Sequence, residues 1–177
     1  NHYRAPEEHR HRIEHCVIAA EDVIRRMKKV GIIPVANTHI MPLNGSDYHR
    51  YFGDRIDYFF ALRSFIDAGL RPVIGCDAPT ATCEAVKGLD GAVNRIDRKT
   101  GEVCGPKQRI TMLEAIRCYT INGAYASFEE NIKGSIEVGK LADFTVFSED
   151  ILHINPMDIV NVKVDYTIID GEICYER

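Results

Sequence analysis

Short apolar runs alternate with amphipathic runs in the first half of the chain. Residues 12–17, 32–36 and 72–75 are short and apolar without strict alternation, which is typical of buried parallel strands. Residues 21–30 and 83–95 place apolar side chains at helical spacing and predict helices. Because strands and helices alternate along the chain, the pattern predicts an α/β fold built on a parallel sheet.

The segments between these runs are predicted to be loops and one further helix. Residues 1–11 are polar and predict a loop or a helix tail. Residues 37–53 are rich in Asn, Gly, Pro and His and predict a long loop, and a helix is predicted over residues 54–68. Thr111 and Glu114 have the spacing of a capping box, in which each side chain bonds the other residue's backbone amide.

The character of the chain changes to β structure in the last third. Residues 135–138, 143–148, 162–169 and 172–175 predict strands, and Asp170-Gly171 between the last two is a strong two-residue hairpin signal. We therefore predict mainly antiparallel β structure after residue 134.

Composition narrows the possible partners. The chain has 177 residues, 45% of them hydrophobic, and a formal net charge of −4 without a Lys/Arg-rich run. Neither a nucleic acid nor a membrane is therefore an expected partner. The six cysteines are scattered and form no C-x-x-C pair, which favours free thiols in a reducing cytoplasm. The first residue is Asn1, so we interpret the chain as an internal part of a longer protein. A signal peptide at the start of that longer protein would not be visible in this sequence.

Three predicted strand ends carry polar residues that a buried strand would not select for packing: His15, residues 37–39 and Asp77. Sites in parallel α/β folds form at the carboxyl ends of strands, and imidazole nitrogen and carboxylate oxygen both suit zinc. The alternative for His15 is a hydrogen-bonded core histidine. The alternative for Asp77 is the N-cap of the next helix.

Two other sets of metal-binding residue types lie near these positions. Cys16 and Cys76 are next to the proposed ligands, but neighbouring strand residues face opposite sides, so we expect both thiols to point away from the site. His9 and His11 form an H-x-H pair before the first strand. In an extended strand His11 lies about 13 Å from His15, so we interpret the pair as part of a solvated loop.

A series of short motifs extends across nearly the whole chain. They are Arg12-Ile13-Glu14-His15, residues 75–79, residues 92–95, residues 108–111, Glu114-Ala115, Tyr119-Thr120, residues 124–126 and residues 134–143. In content and order these motifs resemble the amidohydrolase superfamily, and most closely amidohydrolase family 3, the group of YtcJ-like and N-substituted formamide deformylase-like proteins. The stretch at 134–143 is the most diagnostic.

The resemblance implies roles for individual residues. His15 matches the metal-ligand histidine of barrel strand six, and Asp77 matches the strand-eight aspartate, which touches the metal and acts as the catalytic proton carrier. The implied cofactor is a divalent metal, Zn²⁺ first, with one or two ions in the full-length protein. His39 and the loop around it are expected to line the substrate pocket, with an ordinary loop histidine as the alternative. Position 76 is usually Ser in the family and is Cys here.

The resemblance also implies that much of the fold is missing. We expect the last three strand–helix units of a TIM-type (β/α)8 barrel over residues 1–130, and the C-terminal part of a small composite β-sandwich over residues 131–177. The family's first-strand H-x-H, its strand-four ligand and its strand-five histidine have no match in this chain. We interpret it as a fragment, a processed product or one chain of a split protein, inert by itself.

The implied function is hydrolysis of a C–N bond in a small amide-like substrate by metal-activated water. A related deaminase and a non-catalytic binding remnant of the barrel remain as alternatives. A barrel opened before its sixth strand exposes a strand edge and apolar faces, so we also expect the chain to self-associate.

Overall fold

The fold is described from a computed structural model over residues 9–177. Most of the polar segment predicted at 1–11 lies outside these residues. Among the described residues, no helix is long and apolar enough to cross a membrane.

The first half of the chain forms a three-stranded parallel sheet. Strands β1 (Arg12–Ile13), β2 (Ile33–Ala36) and β3 (Val73–Ile74) lie in the order β1-β2-β3, with Arg12 opposite Ile33 and Val35 opposite Val73. The predicted parallel neighbours are therefore confirmed. Strands β1 and β3 are shorter than predicted, because the backbone takes up left-handed conformations at His15, Cys16 and Asp77.

Helices follow each strand of this sheet. Helix α1 begins at Glu21, carries the acidic side chains of Glu21 and Asp22 in its first turn and is capped by Gly31, whose positive φ of 70° permits a left-handed cap. The helices of this half are α1 (Glu21–Val30), α2 (Ile40–Phe52), α3 (Leu62–Asp67) and α4 (Ala85–Val93), with a 3-10 helix at Gly53–Tyr58.

The prediction of a loop at residues 37–53 is wrong, because most of that segment is helix α2. Its Pro42 lies in the first turn, where a helix does not need the missing N–H. Asn44 interrupts the helix with φ −145° and ψ 21°, so the segment is two short helical pieces joined at a kink. The helix predicted at 54–68 is also divided, by residues 59–61 between the 3-10 helix and α3.

The predicted capping box is confirmed at helix α5 (Met112–Tyr119), which α6 (Ile121–Ala126) follows. Glu114 N donates to Thr111 Oγ1 over 3.3 Å, and Glu114 Oε2 accepts from Thr111 N over 2.8 Å. Arg63 adds bonds of 2.8 and 3.0 Å to the same carboxylate. Although burial acts to raise the pKa of Glu114, the bonds from Thr111 and Arg63 hold it below its usual value.

The last third forms a three-stranded antiparallel sheet of β4 (Phe144–Phe147), β5 (Val164–Ile169) and β6 (Glu172–Glu176). The hairpin at Asp170-Gly171 is confirmed, with φ values of 51° and 81°. The strand predicted at 135–138 is wrong: the segment forms bends and a turn, with Ile136 84% exposed. Its alternating pattern has no strand beside it among the described residues.

The core joins the two halves through α4. Asn94 Nδ2 donates to the carbonyl oxygen of Pro156 over 2.7 Å, and Ile159 in the 3-10 helix Pro156–Asn161 is 1% exposed.

Arg95 is fully buried and donates to the carbonyl oxygens of Phe59, Phe60 and Cys104. Burial lowers the pKa of Arg95 to about 10. The guanidinium therefore joins the segments at residues 59–60 and 104 to the end of α4.

Strand β1 is an edge strand of the parallel sheet and carries one exposed apolar side chain. Ile13 is 41% exposed, and β1 pairs with β2 alone in the described part of the sheet. Such an edge favours pairing with another chain or segment. The expected self-association stays a prediction.

Candidate metal and active site

His15 and Asp77 meet at one end of the parallel sheet, as expected from the sequence. His15 follows β1 and Asp77 follows β3, so both lie beyond the carboxyl ends of parallel strands. The distance from His15 Nε2 to Asp77 Oδ1 is 3.8 Å, and the side chains are 46% and 38% exposed. The pair therefore faces an accessible space rather than the core, which removes the core-histidine alternative for His15.

The backbone at both residues is in an uncommon conformation. His15 has φ 63° and Asp77 has φ 58°, and Cys16 beside His15 has φ 34°. A non-glycine residue in this left-handed region costs on the order of 1–3 kcal/mol and persists only where the surroundings hold it. The turn at each strand end swings the following chain away and leaves the side chain at the rim. Strain of this kind at the ends of strands is typical of functional sites.

Asn37 links the two strand ends from the middle strand. It follows β2, is 3% exposed, and its Nδ2 lies 3.0 Å from His15 Nδ1. The sequence placed polar residues at this strand end but did not single out Asn37. Its contact depends on the register of three strands, which no local pattern reveals.

His39 lies beneath the surface, in a different environment from His15. It is 1% exposed, its Nε2 is 3.2 Å from the carbonyl oxygen of Glu84, and Tyr119 Oη is 3.3 Å from the ring. Burial lowers the pKa of His39. A side chain enclosed in this way contacts no open space, so the structure gives no support to His39 as a substrate-binding residue.

The two cysteines beside the proposed ligands differ in their surroundings. Cys16 is 7% exposed and belongs to the hydrophobic core, whereas the His15 side chain is half exposed. Cys76 is partly buried and lies near Tyr119. The expectation that the Cys16 thiol points away from His15 is confirmed. The reason given for it was wrong, because residues 14–15 form a bend rather than part of a strand with alternating faces.

Two other clusters of metal-binding residue types do not form such a site. His9 and His11 stack with ring centroids 4.7 Å apart, before β1. His49, Glu102 and Cys104 have ligand atoms within 4.8 Å of one another. However, His49 Nδ1 is 2.5 Å from Glu102 Oε1, closer than the roughly 3.4 Å between two donors of one tetrahedral ion. That pair is a hydrogen bond, and the raised pKa of Cys104, about 11 through burial, keeps its thiol protonated.

A cavity of about 660 Å³ lies elsewhere, between α4 and the antiparallel sheet, and its lining includes Lys87, Asp90 and Tyr175. Neither His15 nor Asp77 borders it. Because the strand-end residues lie outside this cavity, we place the candidate site at the His15–Asp77 pair.

Sequence comparison supplies the deciding observation for the family. The model of the amidohydrolase family matches residues 2–175. The chain belongs to the amidohydrolase family. It is 33% identical over 168 residues to N-substituted formamide deformylase of Arthrobacter pascens, covering 94% of this chain and 31% of that protein. It is 30% identical over 181 residues to putative amidohydrolase YtcJ of Bacillus subtilis, covering 97% of this chain and 33% of that protein.

Two solved structures share the fold of this chain. An uncharacterised metal-dependent hydrolase from Pyrococcus horikoshii has a TM-score of 0.70 at 20% identity, over 82% of this chain and 30% of that one. An adenosine deaminase from Xanthomonas campestris with bound zinc has a TM-score of 0.63 at 19% identity, over 90% of this chain and 35% of that one. The chain spans about a third of the length of the curated relatives it matches.

Proposed function

We propose that this chain contributes His15 and Asp77 to the divalent-metal site of a hydrolase that cleaves C–N bonds in small amide-like molecules. The observation that carries the proposal is the 3.8 Å approach of His15 Nε2 to Asp77 Oδ1 at an exposed strand-end rim. Membership of the amidohydrolase family and the similarity to N-substituted formamide deformylase support the amide-like substrate class.

The pair fits a zinc-like ion. An imidazole nitrogen and a carboxylate oxygen bind zinc at about 2.0–2.2 Å, so two such donors on one ion lie about 3.4 Å apart at the tetrahedral angle and at most about 4.3 Å apart. The observed 3.8 Å lies inside that range. Two ligands do not complete a site, and we propose that the remaining ligands and most of the substrate pocket come from barrel strands that these 177 residues do not include.

The two residues have separate tasks in this proposal. A divalent ion would polarise the substrate carbonyl and lower the pKa of water. Asp77 takes the proton of the attacking water and returns it to the leaving amine nitrogen, which makes it the catalytic acid–base group. Its carboxylate is 38% exposed, so substrate and water can both reach it. His15 would bind the ion through Nε2.

We also propose that the parallel half is the last part of a (β/α)8 barrel, at residues 1–130, and that residues 131–177 belong to an accompanying β-sandwich. The parallel order β1-β2-β3 with helices between the strands supports the first part, and the antiparallel order β4-β5-β6 supports the second. In a barrel, the strand ends that carry His15 and Asp77 form the catalytic face.

The proposal is tested on the protein in its full natural length. We expect hydrolysis of N-substituted formamides or related small amides, loss of that activity after removal of metal by a chelator, and its return with Zn²⁺. His15→Ala should bind zinc more weakly than the unaltered protein, and His153→Ala, a change at an exposed histidine near the antiparallel sheet, should not.

Two results would favour the alternatives. Release of ammonia from aminated heterocycles without any cleavage of amides would identify a deaminase. A protein that takes up no divalent metal and turns over neither class of substrate would favour a non-catalytic barrel remnant.

A further inference from the structure

The two ring nitrogens of His15 face different neighbours. Nδ1 lies 3.0 Å from Asn37 Nδ2, and Nε2 lies 3.8 Å from Asp77 Oδ1. The ring is nearly half exposed, and an exposed imidazole without a partner can rotate about its side-chain bonds. The contact with Asn37 is therefore what fixes which nitrogen faces Asp77.

Asn37 is itself held firmly. It is 3% exposed, and its backbone carbonyl oxygen accepts a hydrogen bond from Ile40 N over 3.2 Å at the start of α2. A Cβ atom built on Gly75 would lie 3.2 Å from Asn37 Oδ1 and 3.1 Å from Val35 Cγ1. The glycine thus leaves the room that the carboxamide occupies between the ends of β2 and β3.

A carboxamide suits both states of a metal-binding histidine. Its NH2 group can donate to an unprotonated Nδ1, which places the ring proton on Nε2, and its oxygen can accept from a protonated Nδ1, which frees Nε2 as a ligand. The two ends of the group occupy nearly equivalent positions, so a half turn about its last bond exchanges them. An aspartate at this position offers the acceptor alone, and a leucine offers neither.

We infer that Asn37 is the positioning residue of His15: its carboxamide orients the imidazole so that Nε2 faces Asp77 and the shared metal. The shared metal in this inference rests on the proposed function. The orientation of the ring by Asn37 does not depend on that function. Metal-binding histidines commonly need such a partner on the other nitrogen, and removing it lowers metal affinity by about 10–100-fold.

The test compares three variants in the protein at its full natural length. Asn37→Leu should lower zinc affinity, measured by competition with a chelator, by about 10–100-fold. Asn37→Asp keeps the acceptor and should recover most of that affinity. Asn94→Leu is the matched control: Asn94 is also a buried asparagine, bonded to Asp90 and Pro156, and its loss should lower stability without changing zinc affinity.

A second readout separates this inference from the proposed function. In metal-free protein with ¹⁵N-labelled histidine, the nitrogen shifts of His15 should show one tautomer, with the proton on Nε2, and a mixture of tautomers in Asn37→Leu. Equal zinc affinities of Asn37→Leu and unaltered protein, or equal losses in Asn37→Leu and Asn94→Leu, would overturn the inference. If the unaltered protein binds no zinc, the proposed function fails, and the His15 tautomer still decides whether Asn37 orients the ring.

Discussion

Replacing Asp77 with asparagine in the full-length protein should lower the kcat of the proposed hydrolysis by about 10²–10⁴-fold, the usual contribution of a positioned acid–base group. Asparagine keeps the size of the side chain and one oxygen that can reach a metal, but it cannot accept the proton of water or return it to an amine. The free energy of unfolding should change little, because the Asp77 carboxylate is 38% exposed and its Oδ1 lies 3.8 Å from His15 Nε2. Steady-state kinetics and denaturant unfolding of the same preparation measure both quantities.

Asp158→Asn is the matched control for Asp77→Asn. Asp158 is an exposed aspartate on the 3-10 helix Pro156–Asn161, away from the parallel sheet, so its replacement should leave kcat unchanged. If Asp77→Asn retained the kcat of the unaltered protein while Asp158→Asn did too, Asp77 would not be the proton carrier, and its position beside His15 would have another explanation.

Replacing Gly91 with alanine should destabilise the fold by about 3 kcal/mol or more, at the upper end of the cost of overpacking. A Cβ atom on Gly91 would lie 2.0 Å from the carbonyl oxygen of Thr38 and 2.8 Å from its carbonyl carbon. Both are backbone atoms, so no side chain can rotate aside, and α4 would have to move away from the segment after β2. Denaturant unfolding of this chain measures the loss.

Gly123→Ala supplies the control for Gly91→Ala. Gly123 is also a helical glycine, in α6, but nothing lies within 4 Å of a Cβ built on it. Alanine there should stabilise the fold by roughly 0.5–1 kcal/mol through helix propensity. Equal stabilities of the two variants would show that α4 does not pack as closely on Thr38 as the structure indicates.

Gly91 matters to the site because Thr38 directly follows Asn37. Thr38 Oγ1 donates to the carbonyl oxygen of Gly88 over 2.7 Å, so α4 and the end of β2 are joined by both packing and hydrogen bonding. A Cβ on Gly88 would lie 1.9 Å from Tyr119 Oη. Gly88 and Gly91, one turn apart, therefore let α4 approach the end of β2, where Asn37 contacts His15.

The sequence predicted the parts of the fold that depend on local pattern. Helix α1, the capping box at Thr111 and the hairpin at Asp170-Gly171 each follow from a few adjacent residues. The parallel neighbours follow from the alternation of strands and helices along the chain. The predictions at 37–53 and 135–138 were wrong for physical reasons. Tertiary packing folded a segment rich in Gly, Asn and Pro into the kinked helix α2. The alternating segment 135–138 stayed irregular because no strand within residues 9–177 pairs with it.

The candidate site was predicted in part. Polar residues at the ends of β1 and β3 indicated His15 and Asp77, and the structure brings them together. Asn37 was grouped with its neighbours, and His39 was assigned to the pocket although it is buried against Tyr119. Which of three adjacent polar residues faces His15 depends on the left-handed turn at His15 and the close packing at Gly75. Neither can be read from residue type and spacing.

Anomalous diffraction at the zinc edge, from crystals of the full-length protein grown with zinc, tests most directly whether His15 and Asp77 share one ion. We predict a peak about 2.0–2.2 Å from His15 Nε2 and from a carboxylate oxygen of Asp77. A zinc-loaded crystal with its ion bound elsewhere, and none within that distance of both residues, would contradict the assignment.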